Sequence, residues 1–105
     1  MENRRLERIF LPRPILARSG TLGYADSAAV LKDISAAGAY FLTLMPLIRG
    51  EVVELFVTLD DAEGTFNLSF TGTIVRVEKG VTANSLGVAV AFSDFKELGE
   101  RGGVA

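Results

Sequence analysis

The chain has 105 residues, with 11 Lys+Arg against 13 Asp+Glu, a formal net charge of −2, and neither His nor Cys. That length suits one small domain able to bury a core without metal or disulfide support. The missing Cys excludes a disulfide framework, a zinc ribbon, an iron–sulfur cluster and a thiol nucleophile, and the missing His excludes a Ser-His-Asp triad and imidazole metal sites.

The charge is unevenly placed. The first 18 residues carry Arg4, Arg5, Arg8, Arg13 and Arg18 against Glu2 and Glu7, a net of +3, and the other 87 residues net −5. An acidic body behind an all-arginine leader argues against a whole-surface nucleic-acid binder and allows a local anion site. The leader is not a signal peptide, because Pro12, Arg13 and Pro14 break its apolar stretch Ile9–Ala17. The longest uncharged run, Ile34–Ile48, has 15 residues and includes Gly38 and Pro46. It is too short for a membrane-spanning helix of about 20 residues. A soluble, cytoplasmic protein is expected.

Strand periodicity dominates the rest of the chain. Ile15–Ser19 and Ala28–Lys32 read as short strands, and after Asp33–Gly38 a third covers Ala39–Leu44. Met45–Gly50, with Pro46, is a connector. In Glu51–Leu59 the apolar set Val53, Leu55, Val57 and Leu59 has a period of two. Asp60–Gly64 then supplies a polar hairpin turn, which accounts for the acidic cluster Asp60, Asp61 and Glu63 better than a metal or acid–base site does.

Phe66–Lys79 changes phase. Phe66, Leu68 and Phe70 are apolar at even positions, whereas Val75 and Val77 are apolar at odd ones. Such a switch needs a bulge or bend, which the pattern assigns to Gly72. Arg76 then faces outward. After a turn at Thr82–Ser85, Leu86, Val88, Val90 and Phe92 alternate with Gly87, Ala89 and Ala91, large residues on one face and small on the other. Ser93–Leu98 reads as a short helix, with Ser93 or Asp94 as its cap and Gly99 as its stop. The sum is about six short antiparallel strands closing into a small β-barrel. The chain divides into an arm (1–12), the barrel (13–98) and a frayed tail (99–105).

Two constellations carry chemistry. Arg4-Arg5-Leu6-Glu7-Arg8 contains an Arg-x-x-x-Arg spacing, which a solvated terminus would also explain. Asp33-x-Ser35-x-x-Gly38 lies between two strands, where a hairpin corner would use the same residues, Asp and Ser bonding backbone amides and Gly taking a positive φ. Together, and with Pro46–Gly50, Gly72-Thr-Ile-Val-Arg76 and Gly87-Val-Ala-Val-Ala-Phe92 after them, they resemble the PilZ domain family of bacterial receptors for cyclic di-GMP. The resemblance covers about residues 3–97.

It implies an all-β fold, a six-stranded antiparallel β-barrel with nucleotide on its outer surface. A flexible N-terminal arm and at most a short C-terminal helix complete it. It also implies ligand contacts from Arg4 and Arg8 on the arm and from Asp33, Ser35 and Gly38 on the barrel. Arg5 and Arg76 are further candidates. Solvation is the alternative for Arg5, and pairing with Glu78 or Glu54 the alternative for Arg76. The chemistry suits a ligand with two phosphodiesters and two guanines. Arginine can fork onto phosphate, grip the O6/N7 edge of guanine or stack on the base. A carboxylate at Asp33 can accept from guanine N1–H and N2–H, Ser35 adds a small donor and acceptor, and Gly38 lets backbone approach the ligand.

The expected function is binding of cyclic di-GMP by a single-domain receptor or adaptor whose arm and surface change to signal to an unidentified protein partner. No enzyme activity, cofactor, metal, DNA, RNA or membrane insertion is expected, and the chain is expected to be a monomer or weak dimer. The alternative is an adaptor of the same fold that binds no nucleotide. An oligonucleotide-binding barrel would show stacking aromatics across a basic groove, whereas here most aromatics fall in apolar phases of an acidic body.

Overall fold

The computed structural model describes residues 9–20, 26–80, 82 and 84–100, with the backbone alone for Asp61, Gly99 and Glu100. The leader residues Arg4, Arg5 and Arg8 lie outside them. Six strands succeed one another: β1 (Arg13–Ser19), β2 (Ser27–Ile34), β3 (Gly38–Thr43), β4 (Val52–Asp61), β5 (Gly64–Lys79) and β6 (Leu86–Glu100). All neighbours are antiparallel, and the order β1-β2-β3-β6-β5-β4 closes through β1 and β4 into a barrel. Among the described residues, no helix is long and apolar enough to cross a membrane.

Alternation supplies the core as expected. Val53, Leu55, Val57 and Leu59 are all buried, and across the ladder they face Gly72, Phe70, Leu68 and Phe66 in turn. Phe41, Leu31, Ile74 and Val88 complete the interior. Each such side chain contributes on the order of 1.5–3 kcal/mol by leaving water. The β4–β5 turn is the two-residue loop Ala62-Glu63, closed by Gly64 at φ 136°, a conformation that favours glycine. Asp60 accepts a hydrogen bond from Thr65 Oγ1 at 2.6 Å.

One end of the barrel is plugged by the β3–β4 connection. Leu47 is buried there, and the buried Glu51 carboxylate fastens the loop. Glu51 accepts from Ile48 N at 2.6 Å and from Ser19 Oγ at 2.8 Å, tying the loop to the end of β1. A buried carboxylate is tolerable only with such donors.

Two expectations need correction. The phase switch in β5 is not at Gly72. Gly72 sits opposite a bulge on β6, where Ser93 is the extra residue, but the inward phase continues through Gly72 to Ile74. It flips at Val75, which is left unpaired between the pairs Ile74↔Val90 and Arg76↔Ala89 and is exposed. The second correction concerns Ser93–Leu98, which is strand, not helix. Phe92 and Phe95 both pack on Phe70, with ring centres 4.8 and 4.9 Å away. Spacing i, i+3 matches a helix face, but a strand bulged at Ser93 also puts these two rings on one side. Pairing of Phe95, Lys96 and Glu97 with β5 satisfies the backbone, and this outweighs the local capping signals.

Candidate functional site

The motif Asp33-x-Ser35-x-x-Gly38 forms the β2–β3 corner. In unbroken alternation Asp33 would share the inward phase of Leu31. The ladder instead steps from Leu31↔Phe41 to Asp33↔Tyr40, leaving Lys32 as a bulged extra residue, and Asp33 faces solvent. The Asp33 carboxylate makes no hydrogen bond or ion pair among the described residues. Ser35 closes the corner: its N–H donates to the Gly38 carbonyl at 2.8 Å, and its Oγ accepts from Ala37 N at 3.2 Å.

Gly38 departs from the positive φ expected of a hairpin corner. A Cβ at this position would lie 2.2 Å from the Val90 carbonyl oxygen, so glycine is what lets β3 approach β6.

The registers then join distant parts of the chain. Asp33 pairs with Tyr40, Tyr40 with Ala89, and Ala89 with Arg76. These four form one row across β2, β3, β6 and β5, about 14 Å wide at about 4.8 Å per strand. Both ends of the row depend on bulges. Lys32 turns Asp33 outward, and Val75 turns Arg76 outward from what would otherwise be the phase of the buried Ile74. The floor is made of small residues, Gly87, Ala89 and Ala91 on β6.

Arg76 has both of its partners on this face. Its Nε lies 3.4 Å from Glu78 Oε1, and its guanidinium carbon is 6.0 Å from the Tyr40 ring centre. The Tyr40 hydroxyl donates to Glu78 Oε2 at 2.8 Å. That hydrogen bond, with partial burial and the negative charge of Glu78, raises the Tyr40 pKa above the ordinary phenol value, against a smaller opposing effect of Arg76. Of the two carboxylates expected as partners for Arg76, the structure selects Glu78; Glu54 lies instead beside Arg18.

A cleft of about 420 Å³ opens elsewhere on the barrel, lined by Arg18, Gly20, Glu51, Glu54 and Thr71 among others. None of Asp33, Ser35, Gly38 and Arg76, the described site candidates, lines it. Its arginine is already neutralised, with Nε 2.9 Å from Asp26 and Nη1 3.8 Å from Glu54, and it lies 5.0 Å from the Phe56 ring centre.

Among the sequence-singled residues, the structure brings Asp33, Ser35 and Gly38 together at the β2–β3 corner, whereas Arg76 lies on β5, three strands further round the closed barrel. It adds Tyr40 and Gly87, which sequence reasoning places in strands but not in the site. Alternation against Ala39 and Phe41 is the signal that puts Tyr40 on the outer face.

The model of the family described as PilZ domain matches residues 2–101 of the chain. Among curated proteins and among solved structures, no relative matches.

Proposed function

Because the chain belongs to the PilZ domain family, we propose that it is a cytoplasmic receptor for cyclic di-GMP that passes ligand occupancy to a protein partner. PilZ domains are receptor and adaptor domains, which fits a chain that binds a ligand and leaves it unchanged. The observation that carries the proposal is the outward row Asp33–Tyr40–Ala89–Arg76, with the Ser35–Gly38 corner at its edge. Asp33 is an exposed carboxylate able to accept from the N1–H and N2–H of guanine. Arg76, at the far end of the row, can take a phosphate or a base edge. The small floor lets a flat base lie close to the sheet.

In this reading Arg4 and Arg8 close over the ligand from the N-terminal segment, with Arg5 as a further contact. The closed segment changes the surface offered to the partner. Charge-assisted hydrogen bonds contribute about 1.5–3 kcal/mol each, so three or four of them with base stacking approach the ~8 kcal/mol of a micromolar complex. Removing one, as in Arg8→Ala, is expected to weaken binding about 30-fold, equivalent to ~2 kcal/mol.

Titration calorimetry with cyclic di-GMP at low salt tests this directly. Saturable binding by the wild type, weakened in Arg8→Ala and in Asp33→Ala, supports the receptor. No binding up to millimolar ligand would leave an adaptor that works through protein contacts alone.

A further inference from the structure

Glu78 is held more firmly than a solvated surface carboxylate needs to be. It lies two residues beyond Arg76 on β5 and pairs across the ladder with Gly87, which in turn pairs with Leu42 on β3. Both its oxygens are engaged, Oε2 by the Tyr40 hydroxyl at 2.8 Å and Oε1 by Arg76 Nε at 3.4 Å. Tyr40 reaches this position because Gly87 has no side chain. A Cβ there would come within 1.9 Å of the Tyr40 hydroxyl oxygen and 2.7 Å of its Cζ. The three side chains form a closed triangle over the β6 floor, and a protein carboxylate occupies the guanidinium that an anionic ligand would use.

We infer that Glu78 is a built-in competitor for the anionic ligand at Arg76, and that Tyr40, seated on Gly87, holds the carboxylate in place. The inference rests on the reading of this face as a phosphate- and guanine-binding surface. It adds a control on affinity: ligand must displace Glu78 from Arg76 and overcome its negative charge. Displacement also frees the Tyr40 hydroxyl and ring to meet the ligand. The Arg76 and Glu78 side chains are 63% and 50% exposed, so water screens the pair. Competition of that strength amounts to about two- to five-fold in an equilibrium constant.

Glu78→Gln isolates the effect, because the amide oxygen still accepts from Tyr40 while the charge is gone. Calorimetric titration with cyclic di-GMP at low salt compares wild type, Glu78→Gln, Arg76→Ala and the double variant. Glu78→Gln is expected to bind about two- to five-fold tighter, and the gain is expected to disappear when Arg76 is alanine. Tyr40→Phe, which keeps the ring and loses the donor, is expected to fall between wild type and Glu78→Gln. No gain in Glu78→Gln, or an equal gain in the Arg76→Ala background, overturns the competitor role while leaving the receptor reading intact. An affinity of Tyr40→Phe equal to wild type overturns the part assigned to Tyr40. Absence of binding by every protein, wild type included, overturns the receptor reading and the competitor with it.

Discussion

Two arginines stand on strands separated only by β4, and their surroundings differ in kind. Arg18, on β1, is bonded to Asp26, lies near Glu54 and stacks on Phe56. Arg76, on β5, has one carboxylate at 3.4 Å and looks across a floor of glycine and alanine. Both carry the same charge, yet Arg18 is consumed in holding β1 and β4 together. Arg76 keeps an exposed side chain and, among the described residues, pairs with one carboxylate, Glu78. Under the proposed function, the arginine that takes the anion is the one beside small residues. A cleft lies beside Arg18 and none of its lining residues belongs to the Arg76 row.

The glycines of the two regions offer the sharpest way to break the contrast. Gly38→Ala forces a Cβ to within 2.2 Å of the Val90 carbonyl oxygen, whereas at Gly20, beside the Arg18 cleft, a Cβ meets nothing within 4 Å. Overpacking of this kind costs about 1–3 kcal/mol. Chemical denaturation should show that loss for Gly38→Ala and almost none for Gly20→Ala. Equal stabilities would mean that β3 need not approach β6 so closely.

Ligand binding separates the arginines themselves. Arg76→Ala is expected to weaken cyclic di-GMP binding about ten-fold, or ~1.4 kcal/mol. Arg18→Ala should leave the affinity within two-fold and lower the melting temperature slightly, through lost contacts to Asp26 and Phe56. Comparable losses of affinity would place the ligand nearer the Arg18 cleft.

The smallest effect is alkaline. Tyr40 has a folded-state pKa above its unfolded value, first because its hydroxyl donates to Glu78. A group raised in this way stabilises the fold fully below its unfolded pKa and loses that contribution as pH rises through the folded pKa. Tyr40 should therefore ionise above the ordinary phenol range. Glu78→Ala, which removes the acceptor, should bring its titration, monitored by ultraviolet absorbance or NMR, back toward that range, and an unchanged titration would mean that the Tyr40–Glu78 bond does not persist in solution.

Some of this was legible in the chain and some was not, for reasons that differ residue by residue. Val53, Leu55, Val57 and Leu59 declare their face because a strand alternates strictly and one side is buried. Asp33, Ser35 and Gly38 were legible as a motif, because corner chemistry is local. The reason Gly38 must be glycine was not, since the clash is with Val90, fifty-two positions away in sequence. Ser93–Leu98 misled because caps and i, i+3 aromatics are local signals, while the bulge that makes them a strand comes from pairing with β5.

The amino-acid sequence by itself determined an all-β chain, the core phase of most strands, an arginine-rich leader on an acidic body and the motif residues on the β2–β3 corner. Each arises from side-chain periodicity or from contacts within a few residues. Tertiary structure alone decided which residues share a row across the strands. Ladder registers set Tyr40 and Ala89 between Asp33 and Arg76, and bulges at Lys32 and Val75 turned the two charged ends outward. A bulge is settled by the partner strand, through the hydrogen bonds and buried rings it must match, so the site could be assembled only once the barrel had closed.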